Sequence, residues 1–231
     1  MFNTCAIANA IETFDVRLRN AGFVDASIRC FFEDLPPTVG FAATARLRTS
    51  QPPMRGRSYQ DRTDWWSSIL RIPAPRVVVL EDMDHPAGLG AFVGEVHAHI
   101  LSALGAVAIV TNGAVRDLSE VHAAGFQCFA RQPAVSHAYA HIFEFGTSVE
   151  IGGLKIQPGD LLHGDRHGLL SVPLDLAPQL PEVAAQLIAR DRRVIQLCES
   201  ADFSLDRLRA LIAELDHAAD HSPRSHDPAP E

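Results

Sequence analysis

The sequence of 231 residues carries a formal net charge of −8, with 20 Lys and Arg against 28 Asp and Glu. This acidic balance argues against binding to nucleic acid and to anionic membranes, because both need clustered basic side chains. No apolar run reaches the roughly 18 residues of a membrane span, and the N-terminal residues lack a basic segment with a cleavage site. We therefore expect a cytoplasmic protein that binds neither nucleic acid nor membrane.

The four cysteines, at positions 5, 30, 128 and 198, are far apart and form no CxxC pair. This spacing is typical of reduced thiols and not of a zinc site or a disulfide framework. The length allows one domain, which we place at residues 1–216. From His217 onwards the sequence is polar and rich in proline, and we expect residues 217–231 to be a disordered tail.

The first predicted elements are an amphipathic helix over residues 4–20 and a strand from Val39 to Leu47. The stretch from Ser50 to Arg62 is polar, contains two prolines and breaks the periodicity, which predicts an exposed loop. We expect the distal half of a ligand to be selected by this loop. A short helix from Trp65 to Leu70 follows.

The central part alternates between strands and helices. Two apolar runs, Arg76 to Leu80 and Ala106 to Thr111, are typical of buried strands. A helical pattern from Ala91 to Leu104 lies between them and ends at Gly105. A short helix over residues 118–124 and a strand over residues 126–130 follow. This alternation predicts a parallel component in the sheet.

After residue 147 the pattern becomes that of antiparallel strands. Gly152-Gly153 predicts the turn of a hairpin between residues 148–151 and 154–156. Two further strands, residues 161–163 and 169–172, flank a turn. Residues 176–197 return to a helical pattern, and another helix begins after Ser204 as its N-cap.

The loop from Thr111 to Asp117 follows a predicted parallel strand, the place where open α/β sheets bind ligands. Arg116 offers a planar fork for a carboxylate or phosphate, and Asp117 offers oxygen ligands for Mg²⁺ or Mn²⁺. Glu120 lies on the same side of the following helix. It is a candidate hydrogen-bond acceptor for the groups that bind the metal, without touching the metal itself. The alternative is that these are surface charges, with Asp117 acting as a helix N-cap.

Gly94 and Glu95 lie in the predicted helix that precedes the strand leading to Arg116. A carboxylate on a mostly apolar helix needs a partner, and Arg116 or a hydrated metal would provide one. The alternative is an exposed charge on the solvent face. Under the first interpretation, Glu95 and Arg116-Asp117 form one site; the sequence pattern alone leaves both interpretations open.

The motif resembles the RraA-like family, which includes the class II 4-hydroxy-4-methyl-2-oxoglutarate aldolases and the regulator of ribonuclease activity A. Twenty residues separate Glu95 from Arg116-Asp117, and two residues separate Asp117 from Glu120. The turn before the arginine reads Asn112-Gly113, where many members have Asp-Gly. Residues 152–161 and 165–173 also resemble the family's hairpin and closing strand.

The resemblance implies an α/β fold, an α/β/α sandwich of the phosphohistidine swivelling-domain type. It also implies a homotrimer or a dimer of trimers with sites between subunits. Arg116 would bind the carboxylate of a small 2-oxo acid, and Asp117 would coordinate Mg²⁺ or Mn²⁺. Glu95 would hold metal-bound waters. Gly94 and the backbone N–H groups of Val96 and His97 would meet the substrate at a helix N-terminus.

The resemblance therefore predicts a divalent-metal-dependent lyase of the aldolase or oxaloacetate decarboxylase type, acting through a pyruvate enolate. The alternative is a non-catalytic regulator that binds a ribonuclease or another protein. A third possibility is a different enolate-forming reaction, such as an isomerase or hydratase step on an oxo acid.

Three histidines are further candidates. His97 would bind substrate or donate a proton, against the simpler interpretation of a half-exposed helical side chain. His137 and His141 are four residues apart, a spacing that would let both rings share a metal if the segment were helical. No third ligand stands out for this pair, so a structural role is favoured.

Overall fold

The computed structural model describes residues 1–53 and 62–220. The chain divides into two compact units, Met1–Pro181 and Glu182–Glu231. The predicted domain boundaries, residues 1–216 with a tail over 217–231, stay a prediction, although a helix continues to Asp220. The predicted exposed loop Ser50–Arg62 lies largely outside the described residues.

The described residues form six helices and thirteen strands. The helices are α1 (Thr4–Glu12), α2 (Arg62–Leu70), α3 (Glu95–Ala103), α4 (Leu118–Ala123), α5 (Leu180–Glu199) and α6 (Leu205–Asp220). The strands are β1 (Arg29–Cys30), β2 (Thr38–Arg48), β3 (Arg76–Asp82), β4 (Ala91–Val93), β5 (Ala106–Thr111), β6 (Ala114–Val115), β7 (Gln127–Ala130), β8 (Gln132–Pro133), β9 (His141–Phe145), β10 (Val149–Ile151), β11 (Leu154–Ile156), β12 (Leu161–Asp165) and β13 (Gly168–Val172).

Four parallel strands, β2, β3, β5 and β7, form the centre of the main sheet. Their apolar and β-branched residues are buried on both faces, as parallel strands require. The antiparallel strands β12 and β13 extend the sheet beyond β2, β9 pairs with the other half of β2, and β1 pairs with β7. The predicted parallel component is confirmed.

The two outer strands of this sheet approach each other through the segment of residues 22–30. Val24 N–H donates to Leu169 O at 3.0 Å, and Ser171 N–H donates to Gly22 O at 2.9 Å, which ties the segment to β13. The same segment ends in β1, which pairs with β7. The sheet is therefore nearly closed and barrel-like.

Two apolar clusters pack on the faces of the main sheet. Helices α2, α3 and α4 cover one face, where Trp65, Leu101 and Val121 are buried. The predicted β10–β11 hairpin covers the other face and buries both its strands against Leu162 and its neighbours. Its Gly152-Gly153 turn has φ of 53° and 76°, which glycine adopts without strain. The predicted α/β class is confirmed.

A second, small sheet consists of the parallel strands β4, β6 and β8. The prediction of a helix from Ala91 to Leu104 is wrong for its first three residues, which form β4. Ala91 and Val93 pair with Ala114 and Val115, so their apolar side chains belong to a strand. The helix itself begins only after Gly94, whose backbone is extended.

Helix α1 is shorter than the predicted helix over residues 4–20, which is wrong beyond Glu12. Asn3 caps its start by accepting the N–H of Ala6 at 2.7 Å. Its end is closed by Thr13, whose Oγ1 donates to Ala10 O at 2.8 Å. Asp15 has φ of 52°, a conformation that ends a right-handed helix whatever the apolar spacing.

The second unit contains most of α5 and all of α6. Two ion pairs join these helices: Arg190 Nη2 to Asp216 Oδ1 at 2.6 Å and Arg193 Nη2 to Glu214 Oε1 at 2.8 Å. Ser204 caps α6 as predicted, since its Oγ accepts the N–H of Arg207 at 3.2 Å. Among the described helices of the chain, none is both long and apolar enough to cross a bilayer.

The side chain of Asn112 joins the carboxyl ends of β3 and β5. Its Oδ1 accepts the N–H of Asp82 at 2.7 Å, and its Nδ2 donates to Asp82 O at 3.0 Å. The amide supplies both an acceptor and a donor here, whereas a carboxylate would supply acceptors alone. An aspartate here would face the carbonyl oxygen with a second acceptor.

We expect Asn112→Asp to lower the free energy of unfolding by about 1–3 kcal/mol at neutral pH, because it loses one hydrogen bond and opposes two acceptors. The new carboxyl has a raised folded-state pKa, so the deficit should shrink as the pH falls below that value. Urea unfolding at several pH values measures both effects. The control is Asn20→Asp, which makes the same charge change at an exposed site. An equal loss in both variants would contradict this prediction.

Candidate active site

The carboxyl ends of β4, β6 and β8 converge at one edge of the small sheet. Arg116 N–H donates to Val93 O at 3.1 Å, and Ala134 N–H donates to Val115 O at 2.9 Å, which continues the parallel pairing beyond the strands. One residue, Gly94, separates β4 from α3, and two residues, Arg116 and Asp117, separate β6 from α4. Two helix N-termini therefore lie at this edge, where both favour anions.

Arg116 and Asp117 form an ion pair at this edge. Nε of Arg116 donates to Oδ1 of Asp117 at 3.0 Å. Asp117 has left-handed backbone angles, φ 52° and ψ 46°, and starts α4 by accepting the N–H of Val121 with its carbonyl oxygen at 2.9 Å. It is the N-cap by position, but its carboxylate makes no capping hydrogen bond to its own helix.

The carboxylate of Asp117 turns instead to the other helix. Its Oδ2 accepts the backbone N–H of Glu95, the first residue of α3, at 3.2 Å. The structure thus brings together Arg116, Asp117 and the Gly94-Glu95 backbone. The two predicted segments are therefore in contact, while their role as one functional site stays a prediction.

Gly94 makes the contact between these segments possible. A Cβ at this position would collide with Oδ2 of Asp117 and lie 2.9 Å from Cγ of Arg116. The backbone of Gly94 is extended and not left-handed, so the need for glycine here is one of space. Any larger residue must displace the ion pair.

The ion pair is partly open to water, with 27% of the Arg116 side chain and 31% of the Asp117 side chain exposed. The hydrogen bond from Arg116 lowers the pKa of Asp117, and the N–H of Glu95 adds to this effect. The carboxylate is therefore ionised at neutral pH and accessible to a ligand.

The other predicted site residues differ in exposure. The side chains of Glu95, Val96 and Glu120 are exposed. Within residues 1–53 and 62–220, no hydrogen bond joins the carboxylate of Glu95 or Glu120 to Arg116 or Asp117. The ring of His97 packs against Phe92 with 4.6 Å between centroids, so it borders the apolar core.

His137 lies against Arg116, a contact that its sequence spacing did not predict. Its Nδ1 lies 3.1 Å and its Nε2 3.5 Å from Nη1 of Arg116. The shared metal site of His137 and His141 is not formed, because the segment between them is a turn. His141 is buried in β9, with its Nδ1 at 2.7 Å from Tyr139 O. His137 follows β8 in the chain. A strand of two residues is too short to be recognised from the sequence pattern, so the position of His137 was not predicted.

Asp82 lies behind the loop that carries Arg116. It is 2% exposed and accepts N–H groups from Gly88 at 2.8 Å and from Asp84 at 3.1 Å. Burial raises the pKa of Asp82. Gly113 passes so closely that a Cβ there would lie 3.1 Å from Cβ of Asp82, which fixes the path of the loop.

Among residues 1–53 and 62–220, no group of three or more His, Cys, Asp or Glu side chains is arranged to hold a metal ion. A site built on Asp117 alone would suit a cation that keeps most of its waters, as Mg²⁺ does when it binds one or two carboxylates. Each Asp117 oxygen accepts one hydrogen bond from the protein and keeps a further lone pair. The donor set fits a hydrated divalent cation.

A model of the RraA-like family, described as Aldolase/RraA, matches residues 4–170. A protein of Halalkalibacterium halodurans, named as a putative 4-hydroxy-4-methyl-2-oxoglutarate aldolase, is 30% identical over 84 residues. These residues are 36% of this chain and 40% of that protein. The chain spans about two fifths of the length of the curated relatives it matches.

Two solved structures share the fold. An uncharacterized protein from Pseudomonas syringae pv. tomato has a TM-score of 0.66 at 23% identity, covering 90% of this chain and 89% of that chain. RraAS2 of Streptomyces coelicolor, described as an unusual member of the RNase ES inhibitor RraA protein family, has a TM-score of 0.62 at 15% identity. The match covers 86% of this chain and 92% of that one.

We expect Arg116→Gln to raise the pKa of Asp117 towards the ordinary value of about 3.9, because the lowering depends first on Arg116. A depressed folded-state pKa stabilises the protein above the unfolded-state value, and this contribution is lost as the pH falls through the folded-state pKa. Carbon-detected NMR titration of the Asp117 carboxyl measures the shift. An unchanged pKa in the variant would show that the ion pair does not form in solution.

Proposed function

The chain belongs to the RraA-like family, and we propose that it is a divalent-metal-dependent carbon–carbon lyase that releases pyruvate from a 2-oxo acid. The family includes both aldolases and ribonuclease inhibitors. The observation that carries the proposal is the contact of Arg116 and Asp117 with the N-terminus of α3. This contact assembles an anion receptor and an ionised oxygen ligand in one partly exposed site.

Arg116 is the proposed receptor for the substrate carboxylate. Its Nε is occupied by Asp117 and its Nη1 lies beside His137. No residue within the described ranges accepts a hydrogen bond from Nη2, which leaves that end of the fork for a ligand. A guanidinium fork matches a carboxylate in shape and charge.

Asp117 would hold Mg²⁺ or Mn²⁺, with Glu95 and Glu120 on the exposed rim beside it. When bound, the cation supplies Lewis-acid stabilisation of the negative charge that develops on the 2-oxo oxygen as the C3–C4 bond breaks. The first-turn N–H of Val96 and the positive end of α3 add to this stabilisation. Aldol cleavage and oxaloacetate decarboxylation both yield pyruvate, so this arrangement serves either reaction. Assembly as a homotrimer or a dimer of trimers belongs to the same proposal.

We expect Arg116→Ala and Asp117→Ala each to lower pyruvate release from oxaloacetate by about 100-fold or more, because each removes a group that stabilises developing charge. The measurement is coupled detection of pyruvate with Mg²⁺ present, above the rate without protein. Matched controls are Arg71→Ala and Asp175→Ala, which remove the same charges from exposed positions. EDTA should abolish the activity, and Mn²⁺ should restore it.

Equal rates in the site variants and the wild type would remove the basis for the lyase. A wild-type protein with no activity on oxaloacetate or on 4-hydroxy-2-oxo acids would favour the non-catalytic regulator. Product analysis by NMR separates cleavage from an isomerase or hydratase step, since only cleavage yields pyruvate.

We expect Gly94→Ala to lower kcat/KM by about tenfold to 100-fold, because the added methyl group must push Asp117 and Arg116 apart. The melting temperature, measured in parallel, separates this effect from unfolding. Full activity in a folded Gly94→Ala protein would mean that the spacing of the ion pair is not required.

A further inference from the structure

Asp82, the last residue of β3, connects the main sheet to the small sheet. Its backbone N–H donates to Asn112 Oδ1 at 2.7 Å, and its carbonyl oxygen accepts from Asn112 Nδ2 at 3.0 Å. Its carboxylate oxygen Oδ2 accepts the N–H of Gly88 at 2.8 Å. Asn112 lies in the loop before β6 and Gly88 lies in the loop before β4, so one residue is bonded to both loops.

The loop before β4 is held on both sides of Gly88. Gln132 in β8 donates from Nε2 to Gly88 O at 3.0 Å, while Asp82 accepts the Gly88 N–H. Gly88 has φ of 90°, and a Cβ here would lie 3.1 Å from Nε2 of Gln132, so both conformation and space favour glycine. Two residues separate Gly88 from Ala91, the first residue of β4, so a shift of this turn moves the start of the strand.

Strands β4 and β6 carry the two halves of the candidate site at their carboxyl ends. Arg116 N–H donates to Val93 O at 3.1 Å across these ends. Oδ2 of Asp117 lies 3.2 Å from the backbone nitrogen of Glu95, at the upper end of the usual range for an N–H···O hydrogen bond. A displacement of β4 away from β6 would break this contact. The relative position of the two strands therefore decides whether α3 contacts Asp117.

We propose that Asp82 is a positioning residue: by holding the loops before β4 and β6 together, it keeps the N-terminus of α3 in contact with Asp117. This rests on the proposed function for the reaction that the site catalyses. Asp82 is 2% exposed, so it acts through the two loops and not on the reacting atoms.

Asp82→Asn tests this role with little change in side-chain size. The carboxylate accepts the N–H of Gly88 through Oδ2 at 2.8 Å and the N–H of Asp84 through Oδ1 at 3.1 Å. An amide has one oxygen, so its NH₂ group must face one of the two donors. Both donors belong to the loop of residues 83–90, so the loop before β4 loses a hydrogen bond in either orientation of the amide.

The matched control is Asp165→Asn, the same substitution at another buried aspartate. Asp165 is 6% exposed, and it accepts the N–H groups of Thr4 at 2.8 Å and His167 at 2.9 Å. It lies in β12, which pairs with β2 and β13 in the main sheet. A general loss of stability would affect both variants, whereas a displacement of β4 is expected of Asp82→Asn alone.

The contact between Asp117 and Glu95 is measured at neutral pH by the amide cross-peak of Glu95 in ¹H–¹⁵N NMR spectra, which needs no turnover. Asp117→Ala lacks the acceptor, so it gives the position of the cross-peak when the contact is broken. We expect Asp82→Asn to move the cross-peak towards this position, and Asp165→Asn to leave it in place.

We also expect kcat/KM for pyruvate release from oxaloacetate to fall by about tenfold to 100-fold in Asp82→Asn and by less than about threefold in Asp165→Asn, because only the first displaces the site. Melting curves show whether each variant is folded. If Asp82→Asn is unfolded, Gln132→Leu replaces it, because this substitution removes the other hydrogen bond to Gly88 and leaves Asp82 intact. The same shift and the same loss are expected of it.

An unchanged Glu95 cross-peak in folded Asp82→Asn, or in Gln132→Leu where it replaces that variant, would overturn the role of Asp82. An equal shift in Asp165→Asn, or a shifted cross-peak with the wild-type kcat/KM, would overturn it as well. If the wild-type protein releases no pyruvate but Asp82→Asn still shifts the cross-peak, the proposed reaction fails and the positioning of α3 by Asp82 stands. An inactive wild type together with an unshifted cross-peak would overturn both.

Discussion

The parallel pairing of β4 with β6 places the residues of the candidate site. It joins Val93 to Arg116 through one backbone hydrogen bond and thereby starts two helices at the same edge of a small sheet. Gly94 lets the chain pass close enough for Asp117 to reach the N–H of Glu95. Partial burial of Arg116 and Asp117 carries a desolvation free energy. Their ion pair and the contact of Asp117 with the N-terminus of α3 offset it.

The main sheet and its hairpin could be predicted from the sequence because their signals are local. The runs at β3 and β5 are β-branched and bounded by turn residues, and Gly152-Gly153 is the turn of the hairpin. The spacing of Glu95 and Arg116-Asp117 likewise indicated one site. It did not indicate that the backbone of Glu95, and not its carboxylate, makes the contact.

The remaining features depend on contacts between distant residues. Strands β4, β6 and β8 have two or three residues each, too few to show a period of two, so β4 was included in a helix. Because β8 went unrecognised, the contact of His137 with Arg116 could not be predicted. Asn112 stands where many members of the family have Asp. The structure explains the amide, because the backbone N–H and C=O of Asp82 require both an acceptor and a donor.

The segment of residues 22–30 has a consequence for self-association. Outer strands of a sheet offer unpaired N–H and C=O groups that can recruit a strand from another molecule. Here one short segment bonds to β13 and then pairs, as β1, with β7, so both β13 and β7 have partners from their own chain at this seam. At this seam, therefore, the described residues of the main sheet leave no free strand edge that a second copy could extend.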